Sequence, residues 1–202
     1  MTHKIEAVWK KTTPELEKEI IEFWVSEKAL PNEAAAAQRI KQSVCIGRND
    51  EGKLIAVCTV QAKLVPRLRQ LLYNYRTFVA AAHRDSKLVY PMAIQARLIL
   101  QEYTHSLPQP ECIGILIEFE NKGLGTAWRA ATNEETKLNF FGFSQKGFEM
   151  RVSYFDNVDL QTPAQVKAAI KATGALVPTA PARRRQGGGQ GGQGGQRRQQ
   201  RG

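Results

Sequence analysis

The residues best suited to chemistry cluster where a strand hands over to a helix. Residues 71–82, LLYNYRTFVAAA, are rich in Leu, Tyr, Phe, Val and Thr and read as a buried strand. From Ser86 to Tyr103 the apolar positions Leu88, Met92, Ile94, Ala96, Leu98 and Ile99 fit a helix with one or two buried faces. A strand feeding a helix through a short loop leaves unpaired N–H groups at the helix N-terminus, ready to hold an anion. In that loop Asp85 adds a negative charge, which Lys87 offsets as a point charge. Ser86 has the strand-to-helix setting of a nucleophile. Its neighbours Asp85 and Lys87 stand where a nucleophile elbow needs small residues, and an N-cap role for Ser86 or Asp85 explains the position more simply.

A second candidate group ends the run CIGILIEFE, Cys112–Glu120, a buried strand whose polar residues arrive only at its end. Alternation puts Glu118 and Glu120 on one face, where they are either carboxylates over a cleft or a solvated strand end. Tyr75 and Arg76, on the 71–82 strand, must face opposite sides, so only one reaches a given cleft. His83 immediately precedes Arg84, while His3 and His105 have no partner spacing for a metal, and no metal site is expected. Cys45, Cys58 and Cys112 sit in apolar runs without a CxxC pair, as small buried hydrophobes do. An odd count without a disulfide pattern suits a reducing cytoplasm.

The elements that must position these groups follow from local signals. Lys4 to Lys10 alternates as a first strand; Thr13 and Pro14 start a helix, and Asn32 caps a second, EAAAAQRIKQ. Ser43–Arg48 and Leu54–Lys63 flank a turn containing Gly52, the mark of a hairpin. Pro91 falls a turn or so inside the helix that follows the 71–82 strand and is expected to kink it. Residues 122–136 read as a short helix with loops. Leu138–Ser144 and Phe148–Phe155 make a second hairpin, and Thr162 with Pro163 begins a last helix closed by Gly174. The order is β, α, α, β, β, β, α, β, (α), β, β, then a further helix.

The spacing Val79-x-Ala81-x-His83-Arg84 before a helix resembles the central motif of the GNAT acyltransferases. In that family a strand reading roughly V-x-P-x-Y-R opens into Arg/Gln-x-x-Gly-x-Gly/Ala. Here the two small-residue positions hold Lys87 and Val89, and His83 takes the aromatic place. The element order over residues 5–157 is similar to that family's, as is FFGFSQKGFEMRVSYF to its C-terminal strands; Asn121, directly after the 112–120 strand, matches an asparagine often found there. The resemblance implies an α/β (α+β) fold, a mixed, mostly antiparallel central sheet flanked by helices. It also implies acetyl-CoA as acyl donor. The pantetheine arm would pair with backbone near Phe78 and Val79, with the pyrophosphate against Arg84, Asp85, Ser86, Lys87 and Leu88. A base, Glu118 or Glu120, would take a proton from an amine of unidentified structure, and an acid, often a Tyr, would protonate the thiolate.

Charge divides the chain. Of the net +10, residues 183–202 supply +6 through six arginines and no acids, so the body carries +4. From Pro178 onward the chain has no side chain able to build a core and reads as disordered. Arg183, Arg184 and Arg185, then Arg197, Arg198 and Arg201, joined by a Gly/Gln spacer, suit weak, salt-sensitive contact with RNA or another nucleic acid, or a solubilising extension. The expected organisation is a domain over 1–160, an appended helix over 161–175 and a tail over 176–202. No run reaches about 18 apolar residues, so the protein is expected to be soluble, cytoplasmic and without a membrane partner. The leading function is transfer of an acetyl group to an amine. The alternatives are a non-catalytic module of the same fold that binds RNA through the tail, and a loop that holds another anionic ligand.

Overall fold

The computed structural model describes residues 3–120 and 129–178. One eight-stranded sheet organises them, in the order β1-β2-β3-β4-β5-β8-β7-β6. The strands are β1 (Lys4–Ala7), β2 (Ser43–Arg48), β3 (Leu54–Val65), β4 (Gln70–Val79), β5 (Gly114–Phe119), β6 (Thr132–Asn133), β7 (Leu138–Phe143) and β8 (Glu149–Tyr154). Each neighbouring pair is antiparallel except β4 and β5, which run parallel. A parallel pair needs a crossover, and α3 (Val89–Ser106) supplies it. The mixed, mostly antiparallel sheet flanked by helices is the architecture the resemblance implied.

Helices cover both faces. On one, α1 (Pro14–Ser26) and α2 (Glu33–Ile40) pack Ile20, Phe23, Trp24 and Ile40 against Ile46, Leu54 and Val57 of the sheet. On the other, Leu88, the cap residue of α3, and Met92, Ala96 and Leu100 of the helix itself pack against Val44, Ile55, Tyr73 and Ile115. The last helix, α4 (Pro163–Thr173), joins this second core through Val166 and Ala169. Beyond it the chain returns to β3, where Leu176 exchanges backbone bonds of 2.9 Å with Ala62 and Leu64. The helix at 163–173 thus shares the core of the domain that precedes it.

Local signals placed the helix starts. The Thr13 side chain accepts from the Leu16 N–H with Pro14 in the first turn, and Asn32 accepts from Ala35. Thr162 and Gln165 form a reciprocal capping box. Four expectations fail, each for a local reason. The central strand ends at Val79, not residue 82, because Ala80, Ala81 and Ala82 disfavour strand; Ala81–Ser86 instead forms a 3₁₀ turn. The helix starts at Val89, not Ser86, which places Pro91 in its first turn, where its missing N–H breaks no helical bond. Neither Ser86 nor Asp85 caps it: the cap residue is Leu88, and the Ser86 hydroxyl donates to the His83 carbonyl at 2.6 Å. Finally, Thr132–Asn133 pairs as an edge strand where a helix or loop was expected.

Candidate active site

The site is made by a ladder that stops early. β4 and β5 pair over only three positions, Tyr73↔Ile115, Asn74↔Leu116 and Tyr75↔Ile117. Beyond them each strand stays bonded to its outer neighbour: β4 to β3 as far as Val79↔Ala56, β5 to β8 as far as Phe119↔Glu149. The inner edges therefore separate at their C-terminal ends, and a cavity of about 400 Å³ fills the gap. That volume suits a small-molecule site.

Strand alternation decides which side chain meets which mouth. Tyr75 and Val79 belong to the core under α3, whereas Phe78 stacks edge-on against Phe23 of α1 with ring centres 5.8 Å apart. Arg76 shares the Phe78 face. On β5, Ile115, Ile117 and Phe119 join the α3 core, so Glu118 faces the α1–α2 side. Both Tyr75 and Arg76 line the cavity, although they point to opposite faces. The expectation that only one could reach a given cleft assumed an unbroken sheet; a cavity through a split opens on both faces.

Glu118 and Glu120 both line the cavity, Glu118 half-buried on β5 and Glu120 exposed just past its end, its N–H bonded to the Glu118 carbonyl at 3.1 Å. Phe78 lines it too. Val79 is buried beside the split but does not line the cavity. Arg84, Asp85, Ser86, Lys87 and Leu88 also lie outside the lining. Leu88 is buried under α3, near Gly47, and Lys87 takes a left-handed conformation, φ +57°. Arg84 reaches back over the strand end: its Nε donates to the Val79 carbonyl at 3.4 Å, and its guanidinium lies 5.9 Å from the Phe78 ring centre. A 3₁₀ turn spends N–H groups on carbonyls three residues back, so few free donors remain between Arg84 and Ser86. Asn121 and the six tail arginines, Arg183 to Arg185, Arg197, Arg198 and Arg201, fall outside the described residues.

Sequence reasoning missed Arg39 and gave Tyr75 no role in the cleft. Tyr75 is the one tyrosine lining the cavity among the described residues, and its hydroxyl bonds to that of Thr77. Burial, with the Cys58 and Cys45 thiols close by, pushes that phenol well above its ordinary value. Arg39, in the last turn of α2, enters the cavity from the α1–α2 side. Burial, and then the charge of Arg76, lowers its guanidinium from the usual value. Nothing in EAAAAQRIKQ marks Arg39 as more than a cation at a helix C-terminus.

No family model matches the chain, and no curated protein matches it in sequence. Among solved structures it is similar to a GNAT-family acetyltransferase from Listeria monocytogenes 4b F2365, at 14% identity, covering 76% of this chain and 95% of that one, with a TM-score of 0.47. It is similar to a GNAT-family acetyltransferase from Streptococcus pneumoniae at 9% identity, covering 75% and 96%, TM-score 0.42. A bacterial toxin is similar at 11% identity, covering 84% and 96%, TM-score 0.46. Among the described residues no helix is long and apolar enough to cross a membrane.

Proposed function

We propose that the chain transfers an acyl group from a coenzyme A thioester to an amine. The observation that carries this reading is the split parallel pair, with a cavity through it and two carboxylates at the end of one wall. The inner edge of β4 past Tyr75 has no partner strand on the β5 side, so its backbone can pair with an extended amide-bearing arm as it would with a strand. The pantetheine arm of acetyl-CoA has that form. Arg84 and Lys87, both exposed just beyond the strand, are the cations nearest in sequence for its phosphates. They would act as side-chain charges rather than through a glycine loop.

The amine enters from the α1–α2 side, where Glu118 and Glu120 face it. A carboxylate takes the amine proton, the nitrogen lone pair attacks the thioester carbonyl, the C–N bond forms and the C–S bond breaks. Glu118 is the better placed base, because it is half-buried on a strand bonded to β8 through Glu118↔Met150. Burial raises the Tyr75 phenol above its ordinary value and so favours its neutral form. Its neutral hydroxyl suits a hydrogen bond toward the sulfur, and solvent then protonates the departing thiolate.

Calorimetric titration of acetyl-CoA into the full chain at moderate salt tests the reading. Micromolar binding is expected. Absence of binding at millimolar ligand overturns it.

A further inference from the structure

Three arginines among the described residues hold a carboxylate in the folded chain. Arg48 pairs with Glu6 and Glu19, Arg97 with Asp156, and Arg151 with Glu149. Arg39 and Arg76 differ. They come from separate elements, α2 and β4, yet line the same cavity, and neither guanidinium has an ion pair or hydrogen bond among the described residues. Two guanidiniums placed near each other without an anion repel, and such a pairing persists where an anion is to be bound.

The carboxylates of the cavity do not neutralise them. Glu118 and Glu120 line the same space, but neither lies within ion-pair distance of Arg39 or Arg76. The ladder makes this separation informative. Continuing the β4–β5 register by one residue would set Arg76 beside Glu118, a favourable cross-strand pair, and the strands part at that position. Cations and carboxylates are thus held apart on different walls of one cavity.

We propose that Arg39 and Arg76 together bind an anionic group, carboxylate or phosphate, carried by the amine acceptor. The proposal rests on the acyl-transfer reading for the word acceptor. Its anion site stands or falls separately. Arginine suits the task because its planar fork grips either oxyanion with paired hydrogen bonds. An acceptor with an amine at one end and an oxyanion at the other would place its nitrogen toward Glu118 while the arginines fix its far end. That is the positioning direct transfer requires.

Inorganic phosphate is the probe, titrated into the full chain at constant ionic strength against chloride, with heat and melting temperature recorded. Wild type, Arg39→Gln, Arg76→Gln and the control Arg69→Gln, an exposed-turn arginine outside the cavity lining, are compared. Tail arginines contribute equally to all four, so differences isolate the pair. A saturable one-to-one component is expected, weakened at least tenfold by either cavity substitution and unchanged in Arg69→Gln. Each cavity variant is expected to melt in chloride at or above the wild-type temperature, because a repulsion has been removed. Equal phosphate binding in all four proteins, or no saturable component in wild type, overturns the proposal. So does loss of phosphate binding on saturation with coenzyme A, which would assign the arginines to the donor's own phosphates. Intact phosphate binding without any acetyl-CoA binding would retire the acyl-transfer reading and leave the anion site.

Discussion

Gly114, at the start of β5, offers the sharpest test of how the split is held. It pairs with Tyr154 of β8. A β-carbon placed there would lie 2.4 Å from the Ser153 carbonyl oxygen and 2.8 Å from the Tyr154 Cα, both main-chain atoms that cannot rotate away. Restoring ordinary contact, roughly 3.4 Å, requires β5 and β8 to part by about 1 Å at this point. Overpacking of this kind costs about 1–3 kcal/mol. Loosening the adjoining bond from the Phe155 N–H to the Ile113 carbonyl, 3.0 Å in the intact sheet, adds about 1 kcal/mol. The stiffer unfolded chain returns about 0.5–1 kcal/mol. Gly114→Ala should therefore destabilise the protein by about 2 kcal/mol, a fall in melting temperature of roughly 4–8 °C for a chain of this size.

Gly52→Ala is the matched control. Its φ of +79° makes alanine strained, but nothing lies within 4 Å, so only about 1 kcal/mol is expected. Calorimetric melts of the two variants and wild type read the difference. Gly114→Ala melting no lower than Gly52→Ala would refute the geometric reasoning. The same substitution reaches the site, since β5 carries Ile117 and Glu118 into the cavity. A shift near 1 Å there should lower any turnover by about a hundredfold.

Other predictions follow from single groups. Glu118→Gln should lower the acetyl-transfer rate by about 10²–10³-fold and Glu120→Gln by much less; the reverse order would move the base to Glu120. Tyr75→Phe should cut kcat by about tenfold or less, measured by thiol release, because a hydrogen bond rather than a proton is lost; abolished turnover would make Tyr75 the acid. Burial pushes the Cys58 and Cys112 thiols well above their usual range, so the folded chain keeps them protonated while the unfolded chain ionises them above about pH 8.5. Stability is then fully present below that pH and falls by about tenfold in folding constant per pH unit for each thiol as pH rises further. Urea midpoints at pH 8 and pH 10 read this, and equal midpoints would show that the thiols ionise freely in the fold. Thr162→Ala should cost about 1 kcal/mol by removing the capping box of α4, seen as a melting shift of about 2–4 °C.

Much of the fold was legible because its signals are local. Thr13-Pro14, Asn32 and Thr162-Pro163 each announce a helix through a side chain that bonds its own first turn, and hairpin strands are announced by their turns. The handover from β4 to α3 was less legible, because it depends on competition between neighbours. Three alanines leave the strand for a 3₁₀ turn, and Pro91 fixes the helix start near Val89. The carboxylates could be found by alternation alone. Arg39 could not, since it meets β4 only through the packing of α2 on the sheet, and its eight-residue helix reads as an ordinary amphipathic one.

The split itself contradicts local preference. Tyr75 and Ile117 are the last paired residues, and the next pair in register is Arg76 with Glu118, opposite charges that would favour another rung. Closing the rung would draw β4 and β5 away from their outer partners, and those partners hold more. β3 grips β4 over ten register positions to Val79, and β8 grips β5 over six to Phe119. Phe78 stacks on Phe23 on one side of the gap, while Phe119 is buried in the α3 core on the other. Those outer ladders and two aromatic anchors outweigh a few inner hydrogen bonds and one half-solvated ion pair worth about 1 kcal/mol or less. A place where a favourable contact is forgone because stronger ones around it hold the strands apart is where function is to be sought. Here the forgone contact leaves the Arg76 guanidinium and the Glu118 carboxylate unspent on each other and facing the same cavity.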